Sequence, residues 1–298
     1  MTATATAPAG VGARPVLLAV TGAAATSASA ALIKLSGANP GTAAFLRCAL
    51  ALTVLIPLAL AEHRRRGARP AKATAVDLAA GILLGVDFVF FSVSISEVGA
   101  SIATVLISVQ IIVFPLLAWR TGGPRPTTGF LLAIPVMLTG VALAGGALGG
   151  SAPGGDPATG IAAGAAAGVA YAGYLHLTRR SGATGHTITP VAVSTTAAAA
   201  TAGIFGGALT GIHLPTTPAS WAWLATLALI GQVLAWILVT AALPRLTPGV
   251  GASLMLLQPV LAFGFGLAIG ERPTLVQVAG CVLVIAAVAV VTRTGRRG

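Results

Sequence analysis

Residues 256–274 read LLQPVLAFGFGLAIGERPT. The run is apolar and free of charge up to Gly270-Glu271-Arg272-Pro273, yet it holds Gln258-Pro259 in its interior. A proline inside a helix frees a backbone carbonyl, which a bundle in lipid satisfies through neighbouring helices and ordered water. The segment therefore reads as a membrane-embedded helix bent beside Gln258. The polar corner reads as a turn, where glycine permits the reversal and Pro273 starts the following helix.

That reading requires lipid as the surrounding solvent, and composition supplies it. The chain has 298 residues, 56% hydrophobic and 8% charged, whereas soluble domains carry about 25% charged residues. So few charges cannot cover a soluble surface, and the whole chain reads as an integral membrane protein. Aromatic residues are 5%, while the abundant alanine and glycine let helices approach closely. The Ala/Gly/Arg bias has the look of a high-GC bacterial genome, so a multi-pass protein of the cytoplasmic (inner) membrane is expected. Cys48 and Cys281 both lie in apolar segments without metal-ligand spacing and read as small hydrophobes. The polar stretch MTATATAPAGVGAR (1–14) reads as a flexible tail and lacks a cleavable signal pattern.

A bilayer span takes about 20 apolar residues. Turn and charge punctuation divides the chain into ten such spans, at 15–36, 40–61, 75–95, 99–119, 127–147, 158–178, 188–210, 219–242, 248–268 and 274–292. Orientation follows from the basic residues. With the N-terminus inside, Arg14, Arg64, Arg65, Arg66, Arg69, Lys72, Arg120, Arg125, Arg179, Arg180, Arg245, Arg293, Arg296 and Arg297 fall on one face. The opposite face keeps Arg272 alone, with Lys34 and Arg47 inside spans, so both termini are expected in the cytoplasm. The same bias accounts for the net charge of +11. The run HRRRGARPAK (63–72) is then a topology anchor touching anionic lipid, with no nucleic-acid partner.

Ten spans divide into five and five, and an odd number per half inverts one half against the other. An offset of 148 residues brings Leu106 onto Leu254, Gln110 onto Gln258, Gly122 onto Gly270 and Val136 onto Val284. The expected architecture is all-α, two inverted five-helix repeats over 15–148 and 149–298, as in many secondary transporters. GGALGGSAPGGDPATG (145–160) joins them.

The segment GASLMLLQPVLAFGFGLAIGERPTLVQVAGCVLVIAAV (251–288) resembles the closing helix pair of the EamA family in the drug/metabolite transporter superfamily. NPGTAAFLRCALAL (39–52) is similar to that family's second helix, and VGASIATVLISVQIIVFPLLA (98–118) to its fourth. Where many members carry Gly-Glu in the first repeat, this chain has Gly122-Gly123. The resemblance implies a ten-helix carrier with alternating access to a central cavity, moving amino acids, other small metabolites or drugs without ATP.

Several residues are candidates for the chemistry. Asp87, in GILLGVDFVFFSV (81–93), lies deep in the third span. An acid there costs about 2.5–3.5 kcal/mol on insertion scales and by default marks a substrate or ion pathway. One reading makes Asp87 a proton-coupling or cation-binding carboxylate; the other pairs it permanently with Arg47 or Lys34. Arg47 reads either as the bidentate partner of a substrate carboxylate or as a brace. Lys34 is a weaker candidate that snorkels to the interface. Gln110 and Gln258, related by the repeat, sit near mid-span, as do Tyr171, Gln232 and Trp236. These either line a substrate cavity or merely link and pack helices. Glu97 and Glu271 read as solvated or capping carboxylates at span ends. Gly160, Gly164 and Gly168 form one small-residue stripe and Gly203, Gly207 and Gly211 another, both expected at close helix contacts.

No P-loop, HExxH or GxSxG signature is present, so no enzyme activity, metal or cofactor is expected. The sequence points to a secondary transporter exporting a small polar metabolite such as an amino acid, proton-coupled or by exchange. The alternatives are a drug-type effluxer or a non-transporting structural or regulatory membrane subunit.

Overall fold

The computed structural model describes residues 13–123, 125–126, 128–144, 155–181, 185–242, 258 and 261–294. Among the described residues every regular element is helical. The helices are α1 (Ala13–Ser36), α2 (Pro40–Arg66) and α3 (Ala71–Val98), then α4 (Ala100–Arg120) and α5 (Thr128–Ala144). In the second half come α6 (Pro157–Arg180), α7 (Ile188–Thr210) and α8 (Pro218–Ala241), a helix α9 over 261–268, and α10 (Leu275–Thr294). Six of them, α2, α3, α4, α6, α7 and α8, are long and apolar enough to cross a membrane by length and composition. Pro259, most of the expected ninth span, the tail 1–12 and the junction 145–154 lie outside the described residues.

The joints form where cap chemistry dictates. α2, α6 and α8 each begin with proline behind a polar cap. Asn39 accepts from the Thr42 amide, Asp156 from the Ala158 and Thr159 amides, and Thr217 from the Ser220 amide. Side chains at these positions satisfy amides that have no partner within the helix. The hydroxyl of Thr159 and the amide of Ala158 hold the Asp156 carboxyl below the usual carboxylate range. α4 and α9 end in the same hydrogen-bonded turn. Gly122 donates to Trp119 at 3.1 Å and Gly123 to Ala118 at 2.8 Å, while Gly270 donates to Leu267 and Glu271 to Gly266, both at 3.0 Å. Gly122 and Gly270 have φ of 94° and 87°, the left-handed geometry this Schellman turn needs. The turns sit 148 residues apart, the offset read from the sequence.

Packing follows the same pairing. α3 lies against α6 and α7, α2 against α7, α1 against α8, and α5 against α10. Exchanging each helix of the first half with its counterpart in the second turns α3–α6 into α8–α1. It turns α3–α7 into α8–α2, also a contact, and leaves α2–α7 and α5–α10 unchanged. The two halves are thus related by a pseudo-twofold arrangement.

Glycines set how close these pairs come. A Cβ on Gly160 would strike Val98 at 2.5 Å, one on Gly164 Leu106 at 2.6 Å, and one on Gly168 the Ile107 carbonyl at 2.7 Å. That stripe is a close helix contact, as expected. The second stripe is not. A Cβ on Gly203 would lie 3.3 Å from the Phe45 ring, one on Gly207 would meet only Ile212 at 3.4 Å, and Gly211 ends α7 with φ of 79°. The close approach is at Gly206, whose Cβ would lie 3.0 Å from the Gly41 Cα. The inward face runs instead through Ala198, Ala202 and Gly206, buried at intervals of four, one position before the glycines of the stripe. Gly81 and Gly85, within GILLG, bring α3 onto the backbone of α7 at Ser194 and Ala198.

Side-chain bonds sort the helix ends into two groups. Lys34, Asn39, Glu97, Asp156, Thr210 and Glu271 belong to one end. At the other, Arg69 bonds Asp77 and Ser181, Glu62 accepts from the amides of Thr187, Ile188 and Thr189, and Thr121 meets His176. With the helices alternating in direction, Arg64, Arg65, Arg66, Lys72, Arg120, Arg179 and Arg180 all fall at this second end.

Candidate functional site

Midway along the bundle, α2 places Arg47 and α3 places Asp87, with 3% and 2% of their surfaces exposed. Arg47 is positioned by two contacts. Its guanidinium carbon stands 3.8 Å from the centroid of the Phe88 ring, within cation–π range. Its Nη2 donates to the Gly231 carbonyl at 3.1 Å. That carbonyl is free because α8 widens into a π turn over Leu227–Leu234, where the Ala235 amide donates to Ile230, five residues back. A regular α-helix would have directed Ala235 to Gly231 instead.

Arg47 and Asp87 are within Coulombic reach of each other and of Tyr171. No Arg47 nitrogen, however, comes within 4.0 Å of an Asp87 oxygen. Lys34 does not pair with Asp87 either; its Nζ lies 2.7 Å from Glu271 Oε1. Neither fixed pairing considered for Asp87 is formed. Arg47 Nε and Asp87 Oδ1 are buried without a protein hydrogen-bond partner.

Three aromatic rings stand beside these charges. Tyr171 and Tyr174, one turn apart on α6, stack at 6.1 Å. Trp236 of α8 meets them edge-on at 6.0 and 5.1 Å, the preferred geometry for ring quadrupoles. Trp236 Nε1 has no protein partner. Gln232 donates through Nε2 to Thr195 Oγ1 at 3.1 Å, leaving its Oε1 unpaired. Across Gly231, a Cβ would strike the Ser29 hydroxyl of α1, whose Oγ is likewise unpaired. The structure thus brings Arg47, Asp87, Tyr171, Gln232 and Trp236 into one buried, partly unsatisfied polar region. Buried polar atoms in folded chains normally have partners, so this region is chemically suited to receive a polar ligand.

The remaining candidates are placed elsewhere. Gln110, buried with Oε1 unpaired, follows a 3₁₀ turn at Ile107–Val109 and packs near Gly168 of α6. Gln258 is half-buried, and its backbone carbonyl accepts from the Ser27 hydroxyl at 3.1 Å. Lys34 belongs to the bundle end, its side chain 44% exposed.

Two acids do more than their span-end positions indicated. Glu271 accepts from the Ala100 amide at 2.6 Å, the Ser101 amide at 2.9 Å and the Ser101 hydroxyl at 2.5 Å, besides Lys34. It caps α4, not its own turn. Burial pushes its carboxyl up, but Lys34, Ser101 and the two amides outweigh this and hold it below the usual range. Glu62 caps α7 in the same manner at the other end. For Glu271 the one sequence signal is its repeat position opposite Gly123; for Glu62 there is none.

The sequence profile of the EamA-like transporter family matches residues 13–146 and again 158–293. A solved crystal structure whose description names no function aligns over 95% of this chain and 98% of its own, with a TM-score of 0.62 at 20% identity. At that identity the likeness concerns the fold alone. A search of curated proteins finds no match. Two matches of one transporter profile, falling on two halves that pack by pseudo-twofold exchange, mean that the chain belongs to the EamA-like transporter family.

Proposed function

We propose that this chain is a secondary active transporter that exports a small polar metabolite, such as an amino acid, by alternating access. Its ten helices all cross the cytoplasmic membrane, with both termini and the arginine-rich end in the cytoplasm against anionic lipid. The observation that supports this reading is the pair Arg47 and Asp87. Both are buried at mid-bundle, held apart, and left with unpaired polar atoms beside an aromatic wall. A sealed structural subunit gains nothing from two separated, unsatisfied charges, whereas a carrier uses them to meet a charged substrate and a coupling proton.

The test is transport by purified protein in proteoliposomes. Wild type is expected to move at least one member of a broad metabolite panel. Asp87→Asn is expected to lower the rate about tenfold or more, since an intramembrane coupling acid is lost, and to flatten its pH dependence. If wild type moves nothing, the carrier reading fails. If Asp87→Asn matches wild type in rate and pH profile, coupling through Asp87 fails.

A further inference from the structure

The Glu271 carboxylate is the one group among the described residues that joins the α9–α10 turn by ion pair and hydrogen bond to the first half of the chain. All its partners lie there: Lys34 at the end of α1, and Ala100 and Ser101 at the start of α4. Its seat is built for it. A Cβ on Gly99 would meet Glu271 Oε1 at 2.9 Å, and one on Gly266 would meet Oε2 at 2.5 Å. α1 connects this seat to the polar region, because Ser29 faces Gly231 only five residues, about 7.5 Å, before Lys34.

The matching turn at the other end is unequal. Gly123 has the same backbone bonds as Glu271 but no side chain. That turn is joined to α6 by a hydrogen bond between Thr121 and His176, at 3.3 Å, without a carboxylate. Elsewhere at that end Arg69 and Asp77 tie the start of α3 to Ser181 after α6, and Glu62 holds the start of α7.

We propose that Glu271 is a latch on one mouth of the central polar region. Breaking its bonds to Lys34 and the start of α4 is the step that opens that mouth. This rests on the alternating-access reading, but its test needs no substrate and so fails or succeeds separately from transport.

The experiment places a cysteine at Ser29→Cys in a background carrying Cys48→Ala and Cys281→Ala. A membrane-impermeant thiol reagent is applied to right-side-out and to inverted vesicles. Glu271→Gln puts an amide donor against the Ala100 and Ser101 amides and removes the charge facing Lys34. It is expected to speed labelling from the Glu271 face about tenfold, the shift that losing a charge-assisted contact gives, with no gain from the other face. Lys34→Met, at a half-exposed position that tolerates change, is expected to speed it less, in the same direction and from the same face. Labelling by Glu271→Gln that is unchanged, or that rises equally from both faces, overturns the latch. Should Glu271→Gln not reach the membrane, no acceleration in Lys34→Met overturns it.

Discussion

Asp87 Oδ1 is buried without a protein partner, so an amide of the same shape gives up no hydrogen bond there. Asp87→Asn is therefore expected to stay within about 1 kcal/mol of wild type in detergent melting curves, even as it lowers transport. Glu271 makes the opposite case. Its folded-state pKa lies below the unfolded value near about 4.3, so its stabilisation is full above that pH and lost as pH falls through the folded pKa. Melting curves of wild type and Glu271→Gln are thus expected to differ at neutral pH and to converge under acid. Depth and charge made Asp87 and Arg47 legible in the sequence, and depth alone singled out Gln232 and Trp236. A capping role was open for Glu271, but the helices that Glu62 and Glu271 cap were not legible, because the backbone amides they receive lie 125 and 171 residues away.

Among whole elements, α6 and α7 show why one glycine stripe was read correctly and the other was not. Spacing by fours marks a helix face without saying which face is buried, and on α7 burial falls on Ala198, Ala202 and Gly206, one position before Gly203 and Gly207. Neighbouring substitutions should therefore diverge. Gly206→Ala presses a methyl onto the Gly41 backbone and is expected to cost about 1–3 kcal/mol. Gly207→Ala has room and gains helix propensity, so its melting temperature is expected to hold or rise. On α6, Gly164→Leu drives a full side chain into Leu106 and is expected to yield no monodisperse protein. The π turn in α8 was equally invisible in sequence, yet it is what frees the Gly231 carbonyl for Arg47.

At the scale of the whole molecule, the 148-residue offset was legible, and the twin turns at Gly122 and Gly270 give it structural form. What it left unread is which helices meet. The pairs α3–α6, α3–α7, α2–α7, α1–α8 and α5–α10 all run between halves. The repeats are units of sequence rather than of folding, since either half alone exposes its glycine-lined contact faces. Expressed singly, residues 1–148 or 149–298 are expected to be degraded or aggregated, whereas co-expressed halves should co-purify and survive limited proteolysis. The two ion pairs among the described residues also differ in a way the internal symmetry hides. Arg69–Asp77 is dry, with 3% of each side chain exposed, while Lys34 of the other pair is 44% exposed. Mobile ions screen exposed charges over about 8 Å at physiological strength and reach buried pairs far less. Electrolyte therefore separates the two joints: raised salt is expected to weaken the Lys34–Glu271 joint and to leave the Arg69–Asp77 joint as it was.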